Sequence, residues 1–163
     1  MIQRFVRWWS LAACALLLAA CATPPRSVPA PGVQSWSGRM ALTVQGRTGD
    51  SFSAGFELQG APETGELRLF NPLGGTVGVL AWSPGHATLR ANGTTREFPS
   101  LESLAEEVTG APLPIASLFD WLAGKSTPVP GWEPDLSHVA QGRLSARRVD
   151  PPPVADLRLV LER

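Results

Sequence analysis

The chain has few residues of the kinds that carry metal or thiol chemistry. Its 163 residues include two cysteines, Cys14 and Cys21, and two histidines, His86 and His138. Neither histidine has a cysteine or a second histidine at the spacing of a metal-ligand set. Each lies among turn-forming residues, which indicates a solvated imidazole. The sequence therefore gives no reason to expect a metal or a cofactor.

An excess of charge of one sign is also missing. Fourteen Lys and Arg balance fourteen Asp and Glu, and there is no long basic run, so nothing electrostatic favours nucleic acid as a partner. The chain has no Gly-x-Ser-x-Gly elbow and no phosphate-binding glycine loop. Glu106 and Glu107 point about 100° apart on a helix, which indicates a solvated face rather than an acid and base pair. An enzyme is therefore the least supported class.

The sequence has no apolar run long enough to span a bilayer, but a short one lies near the start. Two arginines precede the apolar residues 11–18, and two alanines follow, as in a secretory signal. Leu18-Ala19-Ala20-Cys21 resembles the lipobox of bacterial lipoproteins, in which signal peptidase II cuts before a lipid-bearing cysteine. We therefore expect residues 1–20 to be a signal peptide and Cys21 to be the site of lipid attachment.

Alternatives remain for this segment. A second Leu-Ala-Ala-Cys ends at Cys14, although cutting there would leave few apolar residues after Arg7. In an uncleaved anchor or an ordinary secreted protein, both cysteines would simply be apolar residues. Removing the signal would leave 12 basic against 14 acidic residues, a charge of about −2. Acylation of Cys21 would then leave no free thiol, which excludes disulfides and thiolate metal sites.

Beyond the cysteine, the chain divides into a linker and one domain. Residues 21–35 are rich in proline and contain little that can pack, which predicts an extended tether. Residues 36–163 suffice for a single domain that buries about 70% of its unfolded surface. Alternation of apolar and polar residues predicts strands at residues 39–45, 51–58, 66–70, 76–82, 86–91, 94–98, 142–149 and 155–162.

Two helices are predicted between the sixth and seventh of these strands. The first begins after the N-cap Ser100 and stops at Gly110, and the second begins near Pro114 and ends at Gly124. Each carries an apolar stripe, but Trp121 lies off the stripe of its helix and is predicted either to edge the core or to serve a site. Strands, helices and further strands predict an α+β fold with helices on one face of an antiparallel sheet.

Two motifs in this region resemble those of a known family. Asn71-Pro72-Leu73-Gly74-Gly75-Thr76 is followed by a segment from Val108 to Ile115, and then by Leu118, Trp121-Leu122 and Gly124. Their order and spacing closely resemble the LolB family of outer-membrane lipoprotein receptors. In that family an "NPLG" loop joins two strands, and a "TG-x-P-[IL]-P" segment leads into a helix. The resemblance runs from about Trp36 to Gly124.

The resemblance implies an incomplete antiparallel β-barrel of the LolA/LolB type, shorter than a typical member, with helices covering an apolar cavity. Such a protein accepts lipoprotein acyl chains from the periplasmic carrier LolA and inserts them into outer-membrane lipid, without a cofactor and without bond cleavage. It is anchored on the periplasmic face, and we expect a monomer. By position, Pro72, Leu73 and Gly74 match the membrane-insertion loop. The candidate cavity residues are Met40, Leu42, Phe56, Leu69, Val79, Leu118, Trp121 and Leu122.

Two points stay open at the level of sequence. Leu73 stands in a loop rich in proline and glycine, where it either meets the membrane or folds back under its own loop. A filled barrel and a hollow one have the same residue pattern. The main alternative is therefore a structural or assembly lipoprotein of the outer membrane with a solid core.

Overall fold

The computed structural model describes residues 33–46, 51–109 and 112–162. These residues form nine strands and two α-helices. Cys21, the predicted signal peptide and most of the predicted tether lie outside the described residues. The strands are β1 (Gln34–Val44), β2 (Phe52–Gly60), β3 (Gly65–Phe70), β4 (Thr76–Ser83), β5 (His86–Ala91), β6 (Thr94–Phe98), β7 (Trp132–Asp135), β8 (Arg143–Arg148) and β9 (Ala155–Leu161). The helices are α1 (Leu101–Thr109) and α2 (Ile115–Leu122).

The strands form one open antiparallel sheet in the order β6-β5-β4-β3-β2-β1-β9-β8-β7. Strands β6 and β7 are its two edges, and both helices lie between them in sequence. Apolar residues from the helices and from one face of the sheet form a single core. The prediction of an α+β fold, an incomplete antiparallel barrel with helices on one face, is therefore confirmed.

The inner face of the sheet is set by the register of its central strands. Trp36 lies opposite Leu58, Leu42 lies opposite Leu157, and Phe56 lies opposite Leu69. Because successive side chains of a strand point to opposite faces, this register brings every second residue into the core. The polar residues between them, such as Arg39, lie on the outer face.

The prediction that Val79 belongs to the inner face is wrong. Val79 lies opposite Arg68 and Arg90, on the outer face; it is buried there, with 9% exposure, but it does not belong to the core cluster. Its neighbours Leu80 and Trp82 are the residues of β4 that enter the core. Both faces of β4 carry apolar residues, so the alternation of residue types could not predict which face enters the core. The larger apolar area of leucine and tryptophan favours the register that places them, rather than valine and alanine, in the core between sheet and helices.

One strand was not predicted from the sequence. β7 covers Trp132–Asp135 and pairs with β8, with Pro134 opposite Ala146. Proline cannot donate to a ladder and is therefore confined to edge strands, and β7 is such an edge. A short 3-10 helix, Val139–Gln141, connects it to β8. The proline and glycine content of this region had indicated only a link.

The local signals at one turn and at two helix ends are confirmed, whereas Gly110, the predicted stop of the first helix, lies outside the described residues. Asn92 and Gly93 both have positive φ, 52° and 75°, and form the two-residue turn between β5 and β6. Ser100 Oγ accepts a hydrogen bond from the N–H of Ser103 at 3.2 Å, which caps α1. After α2, the N–H groups of Gly124 and Lys125 bond back to carbonyls in its last turn and end the helix.

Candidate functional site

The loop between β3 and β4 presents one large apolar side chain to solvent. Leu73 is 95% exposed, more than any other large apolar residue in the described part of the chain. Its neighbours Pro72 and Gly74 are exposed as well. The alternative in which Leu73 folds back under its own loop is wrong, because almost none of its side chain is covered.

The backbone of this loop is held in place by Asn71. Asn71 Oδ1 accepts hydrogen bonds from the N–H groups of Leu73 at 3.0 Å and Gly75 at 2.9 Å. The Asn71 backbone also donates to the carbonyl of Gly75 and accepts from Gly74 N–H, both at 2.9 Å. Gly74 has a φ of 83°, where a Cβ would be strained. The loop is therefore a braced turn that holds Leu73 outward.

The proposed cavity residues of the sheet and of α2 pack against each other. Leu69 is partly buried against this core, and Val79 lies on the other face. The remaining candidates are almost fully buried and belong to one apolar cluster: Met40, Leu42, Phe56, Leu118, Trp121 and Leu122. The structure thus brings the predicted wall of the sheet and the predicted wall of α2 together.

Ring contacts join α2 to the sheet. The ring of Phe119 lies 5.7 Å from that of Trp36 and 6.1 Å from that of Trp82, centroid to centroid, and both pairs are nearly perpendicular. Edge-to-face pairs of this kind add about 0.5–1.5 kcal/mol beyond the area that they bury. Phe119 is therefore a principal contact between the helix and the inner face.

Trp121 belongs to the core although it lies off the apolar stripe of α2. It is fully buried, and its Nε1–H donates to the carbonyl of Thr127 at 2.9 Å. Thr127 Oγ1 in turn donates to Asp120 Oδ2 at 2.6 Å. The segment after α2 folds back over the helix and covers this tryptophan, which periodicity within the helix did not reveal.

A groove of about 240 Å³ lies where the starts of the two helices approach β7 and β8. Arg148 of β8 lines it and is only 4% exposed. Its Nη1 is buried and has no hydrogen-bond partner in the described part of the chain. Sequence reasoning missed this residue, but the alternation of β8 contains the signal. Leu144, Ala146 and Arg148 share one phase, so Arg148 follows two core residues on the inner face.

The groups with acid and base chemistry lie on the surface. His86 begins β5 and His138 precedes the 3-10 helix, and both are exposed, as predicted. The hydroxyl and the N–H of Ser137 donate to Asp135, and these bonds lower the pKa of that carboxyl group. Across residues 33–46, 51–109 and 112–162, no three His, Cys, Asp or Glu side chains group as metal ligands would. No helix in those ranges is long and apolar enough to cross a membrane.

Comparison with known proteins identifies the family. The family model described as "Outer membrane lipoprotein LolB" matches residues 34–150. A protein of Bordetella petrii named Outer-membrane lipoprotein LolB is 38% identical over 125 residues, which cover 74% of this chain and 63% of that relative. A relative of the same name from Chromobacterium violaceum is 35% identical over 73% of this chain and 67% of its own length. Another, from Cupriavidus pinatubonensis, is 34% identical over 83% of this chain and 68% of its own length.

The matched residues include the loop with Leu73, both helices and strands β1 to β8. The match also covers less than two thirds of the Bordetella petrii relative. The length of the family match and the level of identity nevertheless decide the assignment. The chain belongs to the LolB family of outer membrane lipoproteins.

Proposed function

We propose that this protein is a lipoprotein receptor anchored to the outer membrane on its periplasmic face. It accepts lipoproteins from the soluble carrier LolA and inserts their acyl chains into outer-membrane lipid, as a monomer and without making or breaking a covalent bond. The observation that carries the proposal is the exposed Leu73 on a braced loop of a LolB-family fold.

The proposed role of Leu73 follows from the cost of leaving it in water. A leucine side chain gains on the order of 1.5–3 kcal/mol when it enters an apolar phase. That gain is enough to dip the loop into a bilayer but too small to anchor a protein. In this proposal, the membrane-insertion loop of Pro72, Leu73 and Gly74 orients the domain, and a separate lipid group holds it at the membrane.

The lipid group in this proposal is carried by Cys21. Residues 1–20 are removed as a signal peptide, and the tether predicted at residues 21–35 leads into the lipid-binding domain predicted at 36–163, whose first strand already includes Gln34 and Ser35. The tether residues 22–33 reach up to about 40 Å when fully extended. Since β1 begins at Gln34, this reach separates the folded domain from the anchored cysteine. The loop with Leu73 can then meet the bilayer surface over a range of orientations.

The acyl chains of the cargo would enter between α2 and the inner face of the sheet. The side chains there are closely packed, so a chain is admitted only when α2 moves away from the sheet. Pro114 and Gly124 flank the helix, and Gly124 has a φ of 78°. Each CH₂ group that leaves water gains about 0.8 kcal/mol, which offsets the loss of contacts between Phe119 and the two tryptophans.

The packed core also supports a second candidate function. A structural or assembly lipoprotein would keep its interior solid and bind partners only by its surface. It predicts that a fluorescent fatty-acid probe does not bind the folded domain. Saturable binding of such a probe, with the circular dichroism spectrum unchanged, would favour the receptor.

The test of the proposed function separates acceptance from delivery. Purified LolA carrying a lipoprotein is mixed first with the Leu73→Glu variant and then with liposomes. The charge opposes entry of the loop into lipid but leaves the inner face intact, so we expect normal acceptance and failed delivery. Val160→Glu is the matched control, because Val160 is a 53% exposed apolar residue on the outer face of β9.

The assay has two results that would contradict this assignment. Full delivery by Leu73→Glu would show that Leu73 does not act on the membrane. Failure already at acceptance, with Val160→Glu normal, would place Leu73 in the surface that meets the carrier.

A further inference from the structure

Arg148 is a buried charge without a counter-ion among the described residues. The whole residue is only 4% exposed, and its Nη1 makes no hydrogen bond to any described residue. None of the ion pairs found in the described part of the chain includes it. An arginine stays protonated in proteins, so it does not escape the cost of burial by losing a proton. A buried charge of this kind calls for an anion.

The position of Arg148 in the sheet explains why it is buried. It lies opposite Trp132 of β7 and Ala155 of β9, both of which are buried. Its exposed neighbour Arg147 lies on the outer face, opposite Glu133 and Asp156. The sheet therefore gives Arg147 acidic neighbours and water, whereas it places Arg148 among apolar side chains.

The groove that Arg148 lines is apolar and small. Its volume of about 240 Å³ is below the roughly 300 Å³ at which pockets for drug-sized ligands begin. It therefore suits one compact head and a short length of chain. Its apolar wall includes Leu101, Leu113, Ile115, Val129 and Trp132.

The first turn of α2 contributes a second favourable feature for an anion. Ala116 and Ser117 of that turn line the groove. The N–H groups of Ile115 and Ser117 already donate to the carbonyls of Leu113 and Pro114, so the helix contributes here through its aligned peptide dipoles, which give its start a partial positive charge. The guanidinium of Arg148 and the start of α2 thus contribute the same sign to one groove.

Glu102 is the acidic side chain that lines this groove. It lies in the first turn of α1, is exposed, and makes no ion pair with Arg148. Its charge would compete with a bound anion rather than assist it. An internal ion pair between Glu102 and Arg148 is therefore the alternative that the experiment must separate.

We infer that this groove binds the anionic head of an amphiphile, a carboxylate or a phosphate monoester that carries an apolar chain. The head pairs with the guanidinium of Arg148, and the chain lies against Trp132 and Ile115. The site is distinct from the membrane-insertion loop, and the inference does not depend on the transfer function proposed above.

The experiment measures binding of short, soluble amphiphiles to the full chain in micelles of a neutral detergent, by calorimetry. The probes are hexanoate and hexyl phosphate. The control ligands are hexanol, which lacks the charge, and acetate and inorganic phosphate, which lack the apolar chain. We expect the anionic amphiphiles to bind at least tenfold more tightly than hexanol and than the free anions. Comparing hexanoate with hexyl phosphate separates a fatty-acid carboxylate from a lipid phosphate as the natural head.

Variants assign the binding to the groove. Arg148→Met keeps an unbranched apolar stem and removes the charge, so binding of hexanoate should weaken at least tenfold. Arg147→Met, on the opposite face, should leave it unchanged. Glu102→Gln should bind hexanoate as well as the original chain or more tightly. Without ligand, Arg148→Met should melt at the same temperature or higher, because an unpaired buried charge has been removed.

Three results would overturn the inference. Equal binding of hexanoate and hexanol would show an apolar groove without an anion site. Equal binding by Arg148→Met would place the site elsewhere. A melting temperature lowered in both Arg148→Met and Glu102→Gln, and restored in Arg148→Lys, would show that Arg148 pairs internally with Glu102.

Discussion

Asn71 Oδ1 accepts a hydrogen bond from the backbone N–H of Leu73 at 3.0 Å, and this contact ties the most exposed leucine to a fixed turn. The same oxygen accepts from Gly75 N–H at 2.9 Å. When a side chain enters a membrane, less conformational entropy is lost at that step if the backbone that carries it is already ordered. The geometry of Asn71 is therefore as important to the proposed loop as the leucine itself.

Replacing Asn71 by alanine should reduce delivery of lipoproteins to liposomes while Leu73 remains in place. The change removes two hydrogen bonds, and each such bond contributes about 0.5–1.5 kcal/mol to the free energy of unfolding. Because both bonds are exposed to water, we expect the free energy of unfolding to fall by only about 1 kcal/mol. The transfer assay and urea denaturation measure the two effects separately.

Asn71→Ser is the matched control for this prediction, because its hydroxyl keeps an acceptor oxygen without adding a charge to the loop. It should deliver more lipoprotein than Asn71→Ala. Equal delivery by the original chain and by Asn71→Ala would mean that the loop needs only the leucine and not its bracing.

Lipid attachment at Cys21 can be tested directly in cells. The Cys21→Ser variant should take up no radioactive fatty acid and should accumulate as an unprocessed precursor, since signal peptidase II acts on the acylated cysteine. Cys14→Ser is the control and should be labelled and processed normally. Label that persists in Cys21→Ser and disappears in Cys14→Ser would move the anchor to Cys14.

The sequence was sufficient for most of the fold because its strongest signals are local. The Asn92-Gly93 turn, the cap at Ser100 and the stop at Gly124 each depend on residues within a few positions. Alternation within β1 and β2 likewise predicted their faces. The resemblance of the loop and of the α2 segment to the LolB family then supplied the topology, which no local signal carries.

The errors arise where distant residues decide the outcome. β4 is apolar on both faces, so the burial of Val79 or Leu80 in the core depends on pairing with β3 and β5. Trp121 is buried because Thr127 returns to it, and β7 forms because β8 offers an edge. Arg148 has no local mark other than its phase in β8, and its lack of a partner is visible only in three dimensions.

Trp121 provides a test of the segment that follows α2. In Trp121→Phe, the carbonyl of Thr127 loses the Nε1–H donor, and the smaller ring leaves space in a fully buried position. Leaving this partly buried carbonyl unsatisfied costs up to about 1–3 kcal/mol and the space left by the smaller ring adds to the loss, so the free energy of unfolding should fall by at least about 1 kcal/mol. Urea denaturation gives the value.

Trp132→Phe is a suitable comparison for Trp121→Phe, because Trp132 is also buried but no hydrogen bond from its indole is seen among the described residues. Trp132→Phe should lower the free energy of unfolding by less than Trp121→Phe does. Equal losses would show that the contact between Trp121 and Thr127 does not contribute to stability.

Entry of an acyl chain beneath α2 should be visible in the emission of the tryptophans that touch Phe119. Trp36 and Trp82 both pack edge-on against that ring, so a chain that separates α2 from the sheet must change the surroundings of both. We expect a fatty-acid ligand to shift the tryptophan fluorescence emission of a chain that starts near Gln34, while its far-ultraviolet circular dichroism stays unchanged.

Two variants show which tryptophans report the shift. Trp36→Phe should remove a large part of it, because Trp36 is only partly buried and gains most from a new apolar neighbour. Trp132→Phe should keep the shift, since Trp132 lies in the groove with Arg148 rather than beside Phe119. A shift that survives Trp36→Phe and disappears in Trp132→Phe would mean that acyl chains enter that groove and that α2 stays on the sheet.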